Sequence, residues 1–397
     1  MRSRVSLIAA QNYESASVRR AVDEAIAAAG GLARVKPGDR AFVKINHLGH
    51  HALESAIVTH PEFSAAVACH LKDLGARVTV GDGLEKEGDD YFVDSGYIEA
   101  AKRCGLELIN LKGGKYVNIT TKSGTTLAVA ARALETDHFI NVPKLKTHAL
   151  TVMTCAVKNL YGLLPQYLRR NLHREHVVPR EFSRAVVDIY EAVKPAFHVV
   201  DAITGLEGSG PSTGGKPRQI GLIIAGSDGV AVDAVSAAIM GLNPLDVSTT
   251  SIAAQRELGI ADLRQIEIAG VPLADAIVPD FVLPGSLAQL ANIVDRLPRP
   301  MARLLGGLIG LTKEIPRIQP KNCVACGLCR AHCPQGAIQI EKIAIIDYKK
   351  CISCFCCQEF CQSDAVGLSH SIAGELIIKS ANMLRKITKG VRKRKLS

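Results

Sequence analysis

The 397-residue chain has no tryptophan, and its aromatic content is only 4%. Stacking surfaces for nucleic-acid bases are built from such rings, so specific nucleic-acid recognition is not expected. No apolar run approaches the roughly eighteen residues of a membrane span. The early run Val5-Ser6-Leu7-Ile8-Ala9-Ala10 is too short for a secretory signal core. No Gly-Lys-Ser/Thr follows Gly214-Gly215, which excludes a phosphate-binding P-loop there. The glycine-rich stretch Gly205 to Gly215 also lacks the strand-G-x-G-x-x-G-helix order of nicotinamide and flavin sites. Acidic residues stop at Glu375, while Lys379, Arg385, Lys386, Lys389, Arg392, Lys393, Arg394 and Lys395 follow. Acidic and basic residues balance over residues 1–300, so the whole net charge of +10 lies beyond them. This tail reads either as a solvated end or as a contact for an acidic partner or an anionic membrane surface.

Cysteine is plentiful, with 12 in the chain. Eight fall in two runs of one spacing. The first is Cys323-x-x-Cys326-x-x-Cys329-x-x-x-Cys333-Pro334, and the second is Cys351-x-x-Cys354-x-x-Cys357-x-x-x-Cys361. A 4Fe-4S cluster needs four thiolates, and in this spacing the fourth cysteine of each run reaches the other cluster. Cys323, Cys326, Cys329 and Cys361 are therefore assigned to one cluster, and Cys351, Cys354, Cys357 and Cys333 to a second. A zinc ribbon fits badly, since zinc takes paired C-x-x-C knuckles at one four-ligand site. The stretch resembles the bacterial two-cluster ferredoxins. It departs from them at Gln362, where proline is expected after Cys361. Cys356 is an extra thiol, read as a small buried residue or as an alternate ligand. Cysteines used as thiolate ligands suit a reducing compartment, and a cytoplasmic location is expected.

Strand and helix signals alternate before the cysteines. Val5–Ala9, Ala41–Asn46, Arg77–Gly81, Leu106–Leu111 and His138–Val142 read as strands. Helices are expected from a Ser17 cap to Ala29, from a Thr59–Glu62 capping box to Leu74, and over Gly96–Arg103. Such alternation predicts an α/β fold with a mainly parallel sheet flanked by helices, followed by a small ferredoxin-like α+β iron–sulfur domain. The expected division is 1–283 for the α/β domain, with its core at 38–245, then a linker at 284–319. The two-cluster domain follows at 320–370, and a helix with the basic tail at 371–397. Within the linker, Met301–Leu311 reads as an apolar helix.

Ligands of parallel sheets bind at strand carboxyl ends, which directs attention to Asn46, Asp82 and the segment after His138. Lys144 and Lys146 face one way in extended chain. A helix expected to begin near Thr147 or His148 would add free N–H groups. Together they predict a carboxylate or phosphate site, with Lys146 and His148 binding and protonating an anion. The alternative is two solvated lysines and a capping threonine. Lys158 lies one helix face further on. Asp201 is a candidate metal ligand or proton donor, or else closes an Asx-turn. Glu207, Gly208 and Gly210 form a loop that a ligand can approach closely. Asp233 either holds that loop through backbone N–H groups or binds a cofactor.

At these residues the chain resembles the domain-of-unknown-function 362 family. The resemblance rests on Thr59-His60-Pro61-Glu62, Gly81-Asp82, Pro143-Lys144-Leu145-Lys146-Thr147-His148 and Lys158-Asn159-Leu160-Tyr161-Gly162. It continues through Asp201, Glu207-Gly208-x-Gly210-Pro211 and Asp233, covering about residues 38–245. Lys44-Ile45-Asn46 departs from an expected Lys-Pro-Asn. The resemblance implies an iron–sulfur redox protein and supplies no substrate. The expected function is electron transfer through two 4Fe-4S clusters, between a protein donor or acceptor and an anionic substrate or cofactor at the α/β domain. The rival is a non-catalytic electron-transfer or assembly protein whose large domain docks a partner.

Overall fold

Residues 3–49, 51–84, 90–93, 95–176, 178–284 and 315–369 are described by a computed structural model. The expected helix Met301–Leu311, and the helix and basic tail expected over 371–397, lie outside these residues. In the large lobe the strands are β1 (Ser3–Ala9), β2 (Arg40–Lys44), β3 (Arg77–Asp82), β4 (Glu107–Asn110), β5 (Tyr116–Thr120) and β6 (Thr126–Ala130). They continue as β7 (His138–Asn141), β8 (Lys144–His148), β9 (Val152–Thr154), β10 (Phe197–Gly208), β11 (Gly215–Gly226) and β12 (Ile266–Gly270).

The main sheet runs β12-β1-β11-β10-β7-β2-β3-β4. Only β11 is antiparallel to its neighbours along this path. Side chains alternate across such a sheet, so both faces must be covered. Val5, Leu7 and Phe42 join one core with Phe182, Val186, Val230 and Ile252 of the helices Pro179–Val193, Gly229–Ile239 and Ser248–Gln255. Ile8, Ala41 and Val43 join the other with Val22, Ile26, Phe63 and Val67 of the helices Ser15–Ala28 and Pro61–Asp73. The sheet is thus mainly parallel and flanked by helices.

Three local expectations are corrected. The first helix is capped by Glu14, whose carboxylate accepts from the N–H groups of Ala16 and Ser17, rather than by Ser17. The helix Pro61–Asp73 is capped by His60 Nδ1. The Thr59 hydroxyl is already engaged, donating to Val142 O and accepting from Asn46 N. No helix begins at Thr147 or His148, because β8 continues through them and pairs with β9 as Lys146↔Thr154, Thr147↔Met153 and His148↔Val152. Their backbone groups serve that ladder, so a helix N-terminus contributes nothing to anion binding there.

The small lobe is a duplicated unit. β13 (Ile315–Ile318) pairs with β16 (Val366–Ser369), and β14 (Ile338–Ile340) pairs with β15 (Ala344–Ile346). Short helices lie at Leu328–Ala331 and Cys356–Glu359. β13 falls inside the segment read as linker and belongs to the lobe by its pairing with β16.

Candidate functional site

The two cysteine runs adopt one backbone course. Ala325, Gly327 and Gly336 have φ of 54°, 82° and 58°, and the matching Ser353, Phe355 and Asp364 have 54°, 63° and 51°. Positive φ costs residues other than glycine, so its recurrence at Ser353, Phe355 and Asp364 marks a wrap that the second run is held to. Ala337 N donates to Cys333 Sγ at 3.2 Å, and Ala365 N donates to Cys361 Sγ at 3.2 Å, at matching positions. Ala344 N and Ser353 N donate to Cys323 and Cys351.

A cavity of about 320 Å³ is lined by Cys323, Cys326, Cys329 and Cys361, and another of about 330 Å³ by Cys333, Cys351, Cys354 and Cys357. Thiols around an apolar hollow, with N–H groups aimed at the sulfurs, fit an iron–sulfur cluster. Cys356 points elsewhere. It is buried and lines the cavity between the lobes.

That interlobe cavity spans about 720 Å³ when the space open to solvent is included. β8 contributes Lys146 and His148, and the short helix Ala156–Asn159 contributes Lys158 and Asn159. The helix Gln166–Glu175 presents Gln166, Arg169, Arg170 and His173. The small lobe closes it with His332, Cys356, Glu359 and Phe360. Gln358 Nε2 donates to Ser209 O at 3.0 Å, Arg170 donates to Ala331 O at 3.1 Å, and Gln166 Nε2 lies 2.9 Å from the His332 ring. His332 and Phe360, each preceding the last cysteine of its run, stack with ring centres 3.6 Å apart. The cavity therefore abuts the peptide links to Cys333 and Cys361.

The lining is net cationic, with Lys44, Lys146, Lys158, Arg169 and Arg170 against Asp82 and Glu359. Lys44 is neutralised by Asp82 at 2.7 Å. Lys146 donates to Ile57 O at 2.9 Å, and Lys158 lies over the Tyr161 ring at 4.6 Å. Burial, with Lys158 nearby, pulls Lys146 down to about 7. His148 Nδ1 accepts from Leu150 N and Thr151 N, so its proton sits on Nε2. Nε2 stands 3.1 Å from Glu359 Oε1, off the angle of a good hydrogen bond. Burial and Lys158 lower the imidazole to about 4, so it is neutral at pH 7. Asn46 Oδ1, Thr154 Oγ1, Asn159 Oδ1, Arg169 Nε and His173 Nδ1 are buried in this lining with no hydrogen-bond partner.

The structure thus brings Lys146, His148 and Lys158 together and places the other candidates apart. Lys144 Nζ donates to Asp201 at 2.9 Å and to Tyr13 Oη at 2.8 Å, while Asp201 also accepts from Tyr13 and from His60 N. Glu207 accepts from Val282 N, and Gly208 has φ of 83°. A methyl group at Gly210 would collide with Thr147 O, and one at Gly214 with Ser209 O and Gln358. This loop packs the lobes together. Asp233 accepts from Ala156 N and Val157 N, so it fixes the helix bearing Lys158 rather than the Glu207 loop. Burial raises its carboxyl to about 7 against those two bonds. Sequence reasoning missed Arg169, Arg170 and His173. Their signal was a polar stripe at i, i+3, i+4 and i+7 from Gln166.

Fold and thiol sites define an iron–sulfur protein with a large α/β lobe. The chain belongs to the family described as "Domain of unknown function (DUF362)", which matches residues 42–238. Residues 316–339 match a 4Fe-4S binding domain. The chain is 32% identical over 295 residues to the thylakoid-associated protein sll1697 of Synechocystis sp., covering 70% of this chain and 91% of that one. Among solved structures, the lactate racemase apoprotein of Thermoanaerobacterium thermosaccharolyticum shares 13% identity at a TM-score of 0.39, over 57% of this chain and 54% of that one. A Thermotoga maritima protein shares 13% at 0.36, over 61% of this chain and 59% of that one. Among the described residues no helix is long and apolar enough to cross a membrane.

Proposed function

We propose that the protein is an oxidoreductase in which two 4Fe-4S clusters exchange electrons with an anionic molecule bound between the lobes. The observation that carries this reading is the cavity itself. It is cationic, it holds buried polar atoms without partners, and its wall includes residues adjacent to cluster cysteines. Cys323, Cys326, Cys329 and Cys361 hold one cluster, and Cys351, Cys354, Cys357 and Cys333 the other. A bound cluster supplies one-electron transfer. The second is supported by the repeated backbone course of residues 353–365.

Lys146, Lys158 and Arg169 bind the negative group, since the Glu359 carboxylate in the same wall offsets only part of their buried charge. Lys146, held near 7, releases or takes a proton near neutrality. His148 offers Nε2–H as a neutral donor. Lys144 and Asp201 brace the start of β8, and Asp233 braces the helix carrying Lys158.

To test this, reduced full-length protein is mixed anaerobically with a panel of organic anions while cluster absorbance is followed. Reoxidation that saturates with one anion supports the enzyme. Reoxidation only by other proteins, with every anion inert, supports instead a carrier whose large lobe docks a partner.

A further inference from the structure

We propose that the anion in the interlobe cavity is an organic one bearing its own O–H or N–H donors, with such a donor bound to Asn159 Oδ1. This rests on the reading above and narrows its substrate class. The orientation of the Asn159 amide is fixed by a chain of bonds. Ala156 O can only accept, so the Asn141 group facing it at 2.8 Å is Nδ2. Asn141 Oδ1 must then be the acceptor that faces Asn159, and Asn159 Nδ2 donates to it at 2.8 Å. Asn159 Nδ2 also lies 3.4 Å from Ile45 O, another acceptor. Flipping the Asn159 amide would set oxygen against oxygen at both places. Oδ1 is therefore the atom of this cavity-wall residue left without a partner, and it is buried.

An anion lacking hydrogens leaves this acceptor unpaired, whereas a ligand O–H or N–H satisfies it directly. Thr154 Oγ1 and Asn46 Oδ1, equally buried and unpartnered, add further polar demand along the same wall. Only a small part of the cavity's space is free to water-sized groups, which suits a molecule of a few heavy atoms. The cationic residues bind its charge, and Asn159 selects for its hydroxyl or amide hydrogen. A buried polar group left unpaired penalises the analogue that lacks the donor.

The test is calorimetric, on anaerobic full-length protein with its clusters intact. Two matched pairs of probes are used: glycerol 3-phosphate against propyl phosphate, and glycerate against propionate. In at least one pair the hydroxyl-bearing member should bind about tenfold tighter or more. The pair that binds tells phosphate from carboxylate. Lys146→Ala should weaken both members alike, whereas Asn159→Leu should bring them to equal affinity. If the members of each pair bind equally in the unaltered protein, this inference is overturned while the anion site stands. If no probe binds, both fall. The comparison within a pair is made on the unaltered protein, so it decides the matter even if Asn159→Leu fails to fold.

Discussion

Lys146 and His148 lie on one strand two residues apart, and burial lowers the pKa of both, to different effect. Lys146 is lowered to about 7, against an ordinary value of 10.5. An anion beside it favours the charged form and raises that value. Binding at pH 8 should therefore take up close to one proton per anion, and binding below pH 6 almost none. Titration calorimetry in buffers of differing ionisation enthalpy measures this, and Lys146→Met should abolish the uptake. His148 is neutral with its proton on Nε2. His148→Ala should leave the anion dissociation constant nearly unchanged and slow cluster reoxidation by about a hundredfold. Equal losses in both quantities would make it a binding residue. These two residues and Lys158 were legible from their spacing and their place after a strand. Their wall partners Glu359 and His332 were not, since they come from the far end of the chain.

At the scale of elements, the glycine loop between β10 and β11 and the helix Cys356–Glu359 hold the lobes together. The helix bears Cys357 toward a cluster cavity, Cys356 and Glu359 toward the interlobe cavity, and Gln358 on Ser209 O. Gly214→Val should break that bond and open the seam, seen as faster amide exchange over 356–361 with the main sheet unaffected. Gly210→Ala pushes against backbone at Thr147 and should cost about 1–3 kcal/mol of stability in denaturant unfolding. The strands were legible because continuous apolar runs mark a sheet covered on both faces. The helix starts were less so. Thr59 has the chemistry of a cap, but its hydroxyl bridges Asn46 and Val142, a tertiary demand that local pattern cannot show. The strand β8 overrode the helix expected at Thr147 for the same reason: besides the neighbouring β9 it pairs with β10, some sixty residues on.

Over the whole molecule, the duplicated small lobe forms one wall of the cavity and the α/β lobe supplies the rest. Anaerobic protein should contain about eight iron and eight sulfide per chain. Metal binding and folding are coupled in such small units. Chelation of the iron should therefore loosen residues 315–369, leave the large lobe's exchange protection in place, and abolish anion binding by removing Glu359, His332 and Phe360 from the wall. The class of the large lobe was readable from strand–helix alternation, and the cysteine chemistry from its spacing. The cavity was not, because it exists only where distant segments meet.

Electron passage between the clusters and an anion held by Lys146 is tested most directly by single-turnover reoxidation. Reduced protein is mixed with a hydroxyl-bearing anion, and the unaltered chain is compared with Lys146→Ala at equal iron content. Reoxidation should saturate, with a half-maximal concentration about ten- to a hundredfold higher in the variant. Identical concentration dependence in the two proteins would show that the electrons do not leave through an anion bound at Lys146.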